Sequence, residues 1–121
     1  MNEIVAIVKH VFIENYLNFE GRATRKEFWY AFLAYFVVNL IFSIIPGWVG
    51  LILRIVWWLA TLLPILSVGA RRLHDINKEA LYLLIGLIPI AGIIILIVWW
   101  AQEGDKTENQ YGPVPEEVKV E

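Results

Sequence analysis

The charged residues of this chain avoid its middle. Of 10 basic and 12 acidic residues in a chain of 121, only six lie between residues 28 and 102: Arg54, Arg71, Arg72, Asp75, Lys78 and Glu79. Three long apolar segments result, 28–45, 48–70 and 80–101, and Arg54 is the only charge inside them. A helix needs about 20 mostly apolar residues to cross the hydrocarbon core of a bilayer. The sequence therefore predicts an all-α integral membrane protein with three transmembrane helices, forming one domain over residues 1–121.

The composition excludes several other classes. Apolar residues make up 59% of the chain and charged residues 18%, which argues against a disordered chain and an ordinary soluble globule. A net charge of −2 argues against a nucleic-acid partner. With no cysteine and only two histidines, the sequence predicts neither a metal site nor a cofactor. A cleaved signal peptide is not expected, because the first long apolar run begins only at residue 28.

The segment before the first span has an amphipathic pattern. In residues 3–19, apolar side chains recur at helical spacing and polar side chains fill the other face. This pattern predicts a helix lying in the membrane interface, although a helix packed on the bundle would show the same spacing. Thr24, followed three residues later by Glu27, is typical of a capping box and would open the first span.

Prolines and basic residues predict the path through the membrane. Pro46 and Gly47 predict a tight turn that makes the first two spans antiparallel neighbours. Pro64 and Pro89 predict kinks inside the second and third spans. Basic residues are concentrated before residue 28 and in the loop 71–79, so the N-terminus and that loop are predicted to be cytoplasmic. Three spans would then place the polar tail, residues 102–121, outside.

Four motifs resemble one known family. Phe19-x-Gly21-Arg22-x-x-Arg25-x-Glu27-Phe28-Trp29 is followed by Arg71-Arg72-Leu73-His74-Asp75, then by Pro89-x-x-Gly92 and by Asn109-x-Tyr111-Gly112. Together they resemble the bacterial membrane family catalogued as domain of unknown function 805, over residues 16–115. The resemblance implies a small multi-pass protein of the bacterial inner membrane and implies no activity. It also marks structural-motif residues: Gly21, Glu27, His74, Asp75, Pro89, Gly92, Asn109 and Gly112.

Four arginines, Arg22, Arg25, Arg71 and Arg72, are predicted to share one membrane face, and three interpretations stay open. The first is topological, in which the cations hold their loops inside and reach lipid phosphates. The second is structural, in which arginines pair with Glu27 or Asp75 and lock the bundle. The third is a defined site for an anionic headgroup or a small phosphorylated ligand. The tail around Asn109 either folds back on the bundle or stays free.

The leading functional hypothesis is a non-enzymatic interaction or structural module whose arginine face contacts anionic lipid or a protein partner. No catalytic residue is predicted, since His74 and Asp75 are adjacent in the chain and lie in no recognisable nucleophile motif. A membrane-embedded lipid-modifying enzyme using those two residues is one alternative. The other is an oligomeric transporter or channel lined by Asn39 and Thr61. Membrane lipids and a homo-oligomer or membrane-protein partner are the contacts expected.

Overall fold

A computed structural model describes residues 2–116 of the chain. Its described elements are all helical: α1 (Asn2–Lys9), a π-helical turn (His10–Glu14), α2 (Arg25–Ile44), α3 (Gly47–Asp75), a 3₁₀ helix (Ala80–Leu87) and α4 (Ala91–Ala101). The predicted all-α class is confirmed. Residues 117–121 of the predicted tail lie outside the described residues.

The two longest helices form an antiparallel pair. The Thr24 hydroxyl accepts a 3.0 Å hydrogen bond from the Glu27 amide, as the predicted cap requires, and α2 begins at the next residue. At the other end α2 stops at Ile44, and α3 begins at Gly47, which has a φ of +69°. The Phe42 carbonyl at the C-terminal end of α2 accepts from the Ile45 amide at 3.2 Å and also from Arg54 at 3.3 Å, so α3 contributes a second donor to the end of α2. The tight turn therefore joins neighbours, as predicted.

Both helices are long and apolar enough to cross a membrane. α2 has 20 residues and α3 has 29, which at about 1.5 Å per residue gives at least the roughly 30 Å of a hydrocarbon core. Their outer faces expose large apolar side chains: Leu33, Phe36, Ile41, Ile52, Ile55, Val56 and Leu59. Such faces are stable in lipid and costly in water. The first two predicted spans thus correspond to α2 and α3, and α3 runs five residues further than expected.

α3 remains helical through Pro64. A proline has no backbone N–H, so the carbonyl of Ala60 loses its usual partner four residues later. The hydroxyl of Tyr16 donates to that carbonyl at 2.5 Å. The segment after α1 therefore supplies the donor that the helix itself lacks.

The N-terminal segment packs on the bundle. Ile7 and Val11 are buried in a small core with Ala23, Phe28, Ala31 and Val68. The single amphipathic helix predicted over residues 3–19 is shorter, because α1 ends at Lys9 and passes into the π-helical turn. The opposite face remains apolar and exposed through Val5, Ile13 and Leu17. One side of the segment therefore contacts protein, and the other side is suited to lipid.

The segment predicted as the third span is a hairpin. Residues 80–101, here called the hairpin, form the 3₁₀ helix and α4, which pack against each other and are joined through Pro89 and Ile90. A Cβ on Gly92 would overlap the carbonyl of Ile85, so the two arms approach closely. Tyr82 and Trp99, near the two ends of the segment, have ring centroids 5.6 Å apart. The prediction of one continuous helix is corrected: Pro89 lies at a reversal instead of a kink.

The reversal also moves the tail. The amide of Asp105 donates to the Asp75 carbonyl at 2.7 Å, and Arg22 donates to the Thr107 carbonyl at 3.0 Å. The described tail thus lies at the same end of the molecule as residues 21–27 and the end of α3. The expectation that the tail and the loop 71–79 lie on opposite sides required a continuous third span, which the structure does not contain.

Candidate functional site

The last turn of α3 is buried although it carries the Arg-Arg-Leu-His-Asp motif. Arg71, Arg72, His74 and Asp75 are each at most 6% exposed. Buried charges are costly unless they are paired and hydrogen-bonded. The partners of these four side chains come from residues 21–27, from the end of α4 and from the tail. The four side chains and these partners are here called the cluster.

Arg72 caps the end of α4. Its side chain is fully buried, and Nε donates to the Trp100 carbonyl at 2.9 Å while Nη2 donates to the Gln102 carbonyl. The C-terminus of a helix carries unpaired carbonyls and a partial negative charge, so a guanidinium is well placed there. Nη1 donates to Asp75 Oδ2 at 2.6 Å and to the Ala23 carbonyl at 3.2 Å. Arg72 therefore joins the hairpin, α3 and the segment before α2.

Arg22 holds the tail in the same way. It follows Gly21, whose φ of +86° turns the chain inward, and Nε donates to Asp75 Oδ1 at 2.8 Å. Its other nitrogens donate to three tail carbonyls, those of Asp105 at 2.5 Å, Thr107 at 3.0 Å and Gly112 at 3.1 Å. The three hydrogen bonds from this planar guanidinium to tail carbonyls fix the path of residues 105–112.

Asp75 is the shared acceptor of the cluster. Its two carboxylate oxygens bind two different arginines, so neither oxygen is directed at the neighbouring His74. Gly104 lies directly over this carboxylate, where a Cβ would overlap the Asp75 side-chain oxygens. Only glycine lets the tail approach this closely.

Arg71 and Glu27 form a second buried pair. Arg71 Nη1 donates to Glu27 Oε2 at 2.6 Å, and His10 Nε2 lies 3.5 Å from the same oxygen. His10 Nδ1 is 3.6 Å from the exposed carboxylate of Glu14. Nε and Nη2 of Arg71 are buried and have no hydrogen-bond partner among residues 2–116. This pair ties the N-terminal segment to α2 and α3.

His74 is held by backbone and by an aromatic ring. Its Nδ1 lies 2.8 Å from the Gly21 carbonyl, and since a carbonyl only accepts, Nδ1 carries the proton. The ring stacks on Tyr111 with centroids 3.9 Å apart and an angle of 6° between the planes. Asn109 Nδ2 donates to the His74 carbonyl at 2.9 Å, which docks the turn of residues 109–112. The motifs around Gly21, His74 and Asn109 thus meet, while Pro89 and Gly92 lie apart in the hairpin.

The four predicted arginines do not form one exposed basic face. Arg22, Arg71 and Arg72 are buried and internally paired, and of the four only Arg25 is exposed. Arg25 borders an open cleft of about 380 Å³ next to the cluster. The cleft is lined by Thr24, Arg25, Lys26, Asp75, Glu103, Gly104, Asp105, Lys106, Val114 and Pro115. The cleft therefore brings cations and carboxylates together at the N-terminal end of α2.

Several residues of the cluster were not expected from the sequence. Gly104 and Asp105 cover Asp75, and Trp100 both accepts from Arg72 and donates through Nε1 to the Gly69 carbonyl at 3.2 Å. The acceptors are mostly backbone carbonyls, which every residue carries and no residue type marks. Gly104 was the available signal, but it was a weak one, because a glycine beside acidic residues also occurs in ordinary polar tails.

Comparison with known proteins now decides the family. The family model described as "Protein of unknown function (DUF805)" matches residues 16–113. The chain belongs to this family. Within DUF805, the Escherichia coli K12 protein named "Inner membrane protein YhaI" is 37% identical over 106 residues, covering 85% of this chain and 90% of the relative. "Inner membrane protein YhaH" of the same strain is 36% identical over 114 residues, covering 85% and 91%. No solved structure matches.

Membership confirms the resemblance seen in the sequence. The matched DUF805 region contains the whole described cluster, from Gly21 to Gly112. The relatives are inner membrane proteins of a bacterium, which agrees with two helices long enough to span and with the predicted multi-pass bacterial inner-membrane class.

Proposed function

We propose that this protein is a non-enzymatic inner-membrane module that holds anionic phospholipid headgroups at its charged end. The observation that carries the proposal is that the basic side chains at this end fall into two groups, one buried and one bordering an open cleft. Arg22, Arg71 and Arg72 are buried and paired internally, whereas Arg25, Lys26 and Lys106 border an open cleft at the same end. These three cations also have contacts of their own, Lys26 with Glu3, Lys106 with Glu103 and Arg25 with the Ala101 carbonyl. Each basic side chain near an anionic membrane surface is worth about 1 kcal/mol of attraction.

The positions of the basic residues also favour a revised membrane topology. Among residues 2–116, every lysine and arginine except Arg54 lies on segments that meet at the cluster end, with α1 tied there through the 2.6 Å pair of Glu3 and Lys26. We infer that this end is cytoplasmic, that α2 and α3 span, and that the hairpin enters and leaves on the cytoplasmic side. A reporter fused after residue 116 that is active only in the cytoplasm should then be active, and activity of a periplasmic reporter would contradict the topology.

The catalytic and transport interpretations find no support in the geometry. His74 Nδ1 bonds the Gly21 carbonyl and the Asp75 carboxylate bonds two arginines, so the two side chains do not act on each other. Thr61 is 4% exposed and donates to the Trp57 carbonyl at 2.7 Å, so its hydroxyl does not face a path for solute.

The experiment compares retained lipid. The protein is placed in bilayer discs of mixed zwitterionic and anionic phospholipid, and native mass spectrometry counts the bound anionic lipids. The double substitution Arg25→Gln and Lys106→Gln should weaken lipid binding by about 2 kcal/mol, which is about a thirtyfold loss of affinity. Arg54→Gln, at the other end of α3, is the matched control and should retain lipid. Equal retention by all three proteins would refute the lipid proposal, and an added protein mass lost with Arg25 and Lys106 would replace it with a protein partner.

A further inference from the structure

The buried part of the cluster holds more positive than negative charge. In the described part of the chain, three arginines and two carboxylates at this end are at most 7% exposed: Arg22, Arg71, Arg72, Glu27 and Asp75. The buried histidine beside them can only add to the positive charge. A buried charge without a counter-charge is costly, because neither water nor an opposite charge stabilises it. The buried cluster therefore has one excess positive charge.

The donors that lack acceptors lie along one edge of Arg71. Arg22 and Arg72 each direct Nε and both Nη nitrogens at oxygen acceptors. Arg71 donates to Glu27 through Nη1, whereas its Nε and Nη2 are buried and have no partner among residues 2–116. Nε and Nη2 share one edge of the planar guanidinium, and their N–H bonds point nearly parallel. This edge therefore matches a group with two neighbouring anionic oxygens.

The charge of the cluster distinguishes between the groups that fit this edge. A water molecule can accept both hydrogen bonds, but it is neutral and leaves the excess positive charge in place. A carboxylate or a phosphate group with one negative charge supplies the two acceptor oxygens and also the missing charge. The edge is therefore suited to a singly charged anion.

The position of Arg71 along α3 favours phosphate. The 29 residues of α3 extend about 43 Å, so about 13 Å of this helix lies beyond a hydrocarbon core about 30 Å thick. Arg71 is four residues, or about 6 Å, before the end of α3 at Asp75. When α3 spans the membrane, Arg71 therefore lies in the polar layer that contains the phosphates of the lipid headgroups.

The N-terminal segment connects the Arg71–Glu27 pair with the surface. His10 Nε2 is 3.5 Å from Glu27 Oε2, and the side chain of His10 is 33% exposed, whereas those of Arg71 and Glu27 are at most 4% exposed. His10 is also the first residue of the π-helical turn. Such turns are rare and are frequent at functional sites. A phosphate reaches the buried edge only when a covering side chain moves, and His10 is the contact of this pair that extends to the surface.

We propose that the Nε and Nη2 edge of Arg71 binds one singly charged phosphate group, which His10 and the π-helical turn cover. The site is separate from the open cleft bordered by Arg25, because Arg71 does not line that cleft. The phosphate comes from a phospholipid headgroup or from free inorganic phosphate, since both present the oxygens and the charge that the edge recognises.

Solid-state NMR tests the contact directly. The full chain, labelled with ¹⁵N, is placed in bilayer discs of phosphatidylglycerol, and ¹⁵N–³¹P dipolar couplings are measured for each assigned arginine. A phosphate bound through two hydrogen bonds brings phosphorus to about 4 Å from Nε and Nη2 of Arg71. Arg71→Lys keeps a cation opposite Glu27 but has no such edge, so the coupling should be lost. Arg25→Lys, which changes only the cleft, is the matched control and should keep the Arg71 coupling.

A second sample distinguishes the two sources of phosphate. The protein is purified in a maltoside detergent, which contains no phosphorus, and inorganic phosphate is added. Coupling at Arg71 only in the discs would support a lipid headgroup, and coupling in both samples would support a site that also accepts free phosphate. Wild-type protein with no coupling at Arg71 in either sample would overturn the proposal, and this result does not depend on whether Arg71→Lys folds. Coupling confined to Arg25 would also overturn it and would leave the cleft as the lipid site.

Discussion

The pairing of Tyr16 with Pro64 gives a sharp test of how this fold is held together. The Tyr16 hydroxyl, 2.5 Å from the Ala60 carbonyl, occupies the place of the N–H that Pro64 does not have. Removing the hydroxyl with Tyr16→Phe should therefore matter only while residue 64 is proline. In Pro64→Ala, the new amide of residue 64 can bond the Ala60 carbonyl itself, and the hydroxyl becomes redundant.

The size of the effect follows from the setting of the bond. Ala60 lies 15 residues, or about 22 Å, from the cluster end of α3, so its carbonyl has no water as a substitute partner. Hydrogen bonds between membrane helices contribute about 0.6 kcal/mol on average and up to about 1.7 kcal/mol. We expect Tyr16→Phe to lower the free energy of unfolding by about 1 kcal/mol in the natural chain and by close to zero beside Pro64→Ala.

The assay is a double-mutant cycle. Reversible unfolding of the four proteins in mixed micelles, titrated with a denaturing detergent, gives a coupling free energy of about 1 kcal/mol. Tyr30→Phe is the matched control, because the Tyr30 hydroxyl has no hydrogen-bond partner among the described residues. An equal cost of Tyr16→Phe in both backgrounds would show that the hydroxyl does not replace the missing amide.

Three further predictions concern the cluster. Gly104→Ala forces a Cβ against Asp75 and should lift the tail, which limited proteolysis would detect as faster cleavage after residue 101; an unchanged rate would contradict the close approach. Glu27→Gln leaves a buried guanidinium without its carboxylate and should cost about 3–5 kcal/mol of unfolding free energy. Glu3→Gln, at an exposed pair, should cost far less, and similar costs for the two variants would contradict the burial of the Glu27 pair. Burial raises the pKa of Tyr111 above 10.0, so the stability from its neutral ring is complete below that pH and is lost as pH rises through the raised pKa; a phenolate signal at the ordinary pKa, seen as ultraviolet absorbance lost in Tyr111→Phe, would contradict this.

The sequence predicted those parts of the fold that depend on length and local chemistry. Two apolar segments of spanning length became α2 and α3, and Thr24 caps α2 as its position predicted. The hairpin could not be predicted in this way, because hydropathy records only that a segment is apolar. Its reversal depends on the strained turn at Ile90 and on the close approach of Gly92 to Ile85, which are contacts between positions that look like any others in an apolar run.

The site shows the same limit in its electrostatics. One of the three interpretations left open, in which arginines pair with Glu27 or Asp75, agrees with the contacts that Arg22 and Arg72 make with Asp75. The sequence did not indicate that these side chains are buried. α3 was expected to end at residue 70 because arginines follow, yet it continues to Asp75 since carbonyls of α4 and of the tail replace water around the guanidinium groups.

The way the tail completes the cluster has a consequence for biosynthesis. Arg22 and Asp75 are synthesised long before Asp105, Thr107 and Gly112, whose backbone groups complete their hydrogen bonds. During translation the charged end therefore stays open to water until the last of these residues leaves the ribosome. A chain cut short at residue 101 would carry the spanning helices and the hairpin, but the hydrogen bonds of Arg22 to the tail carbonyls would be missing.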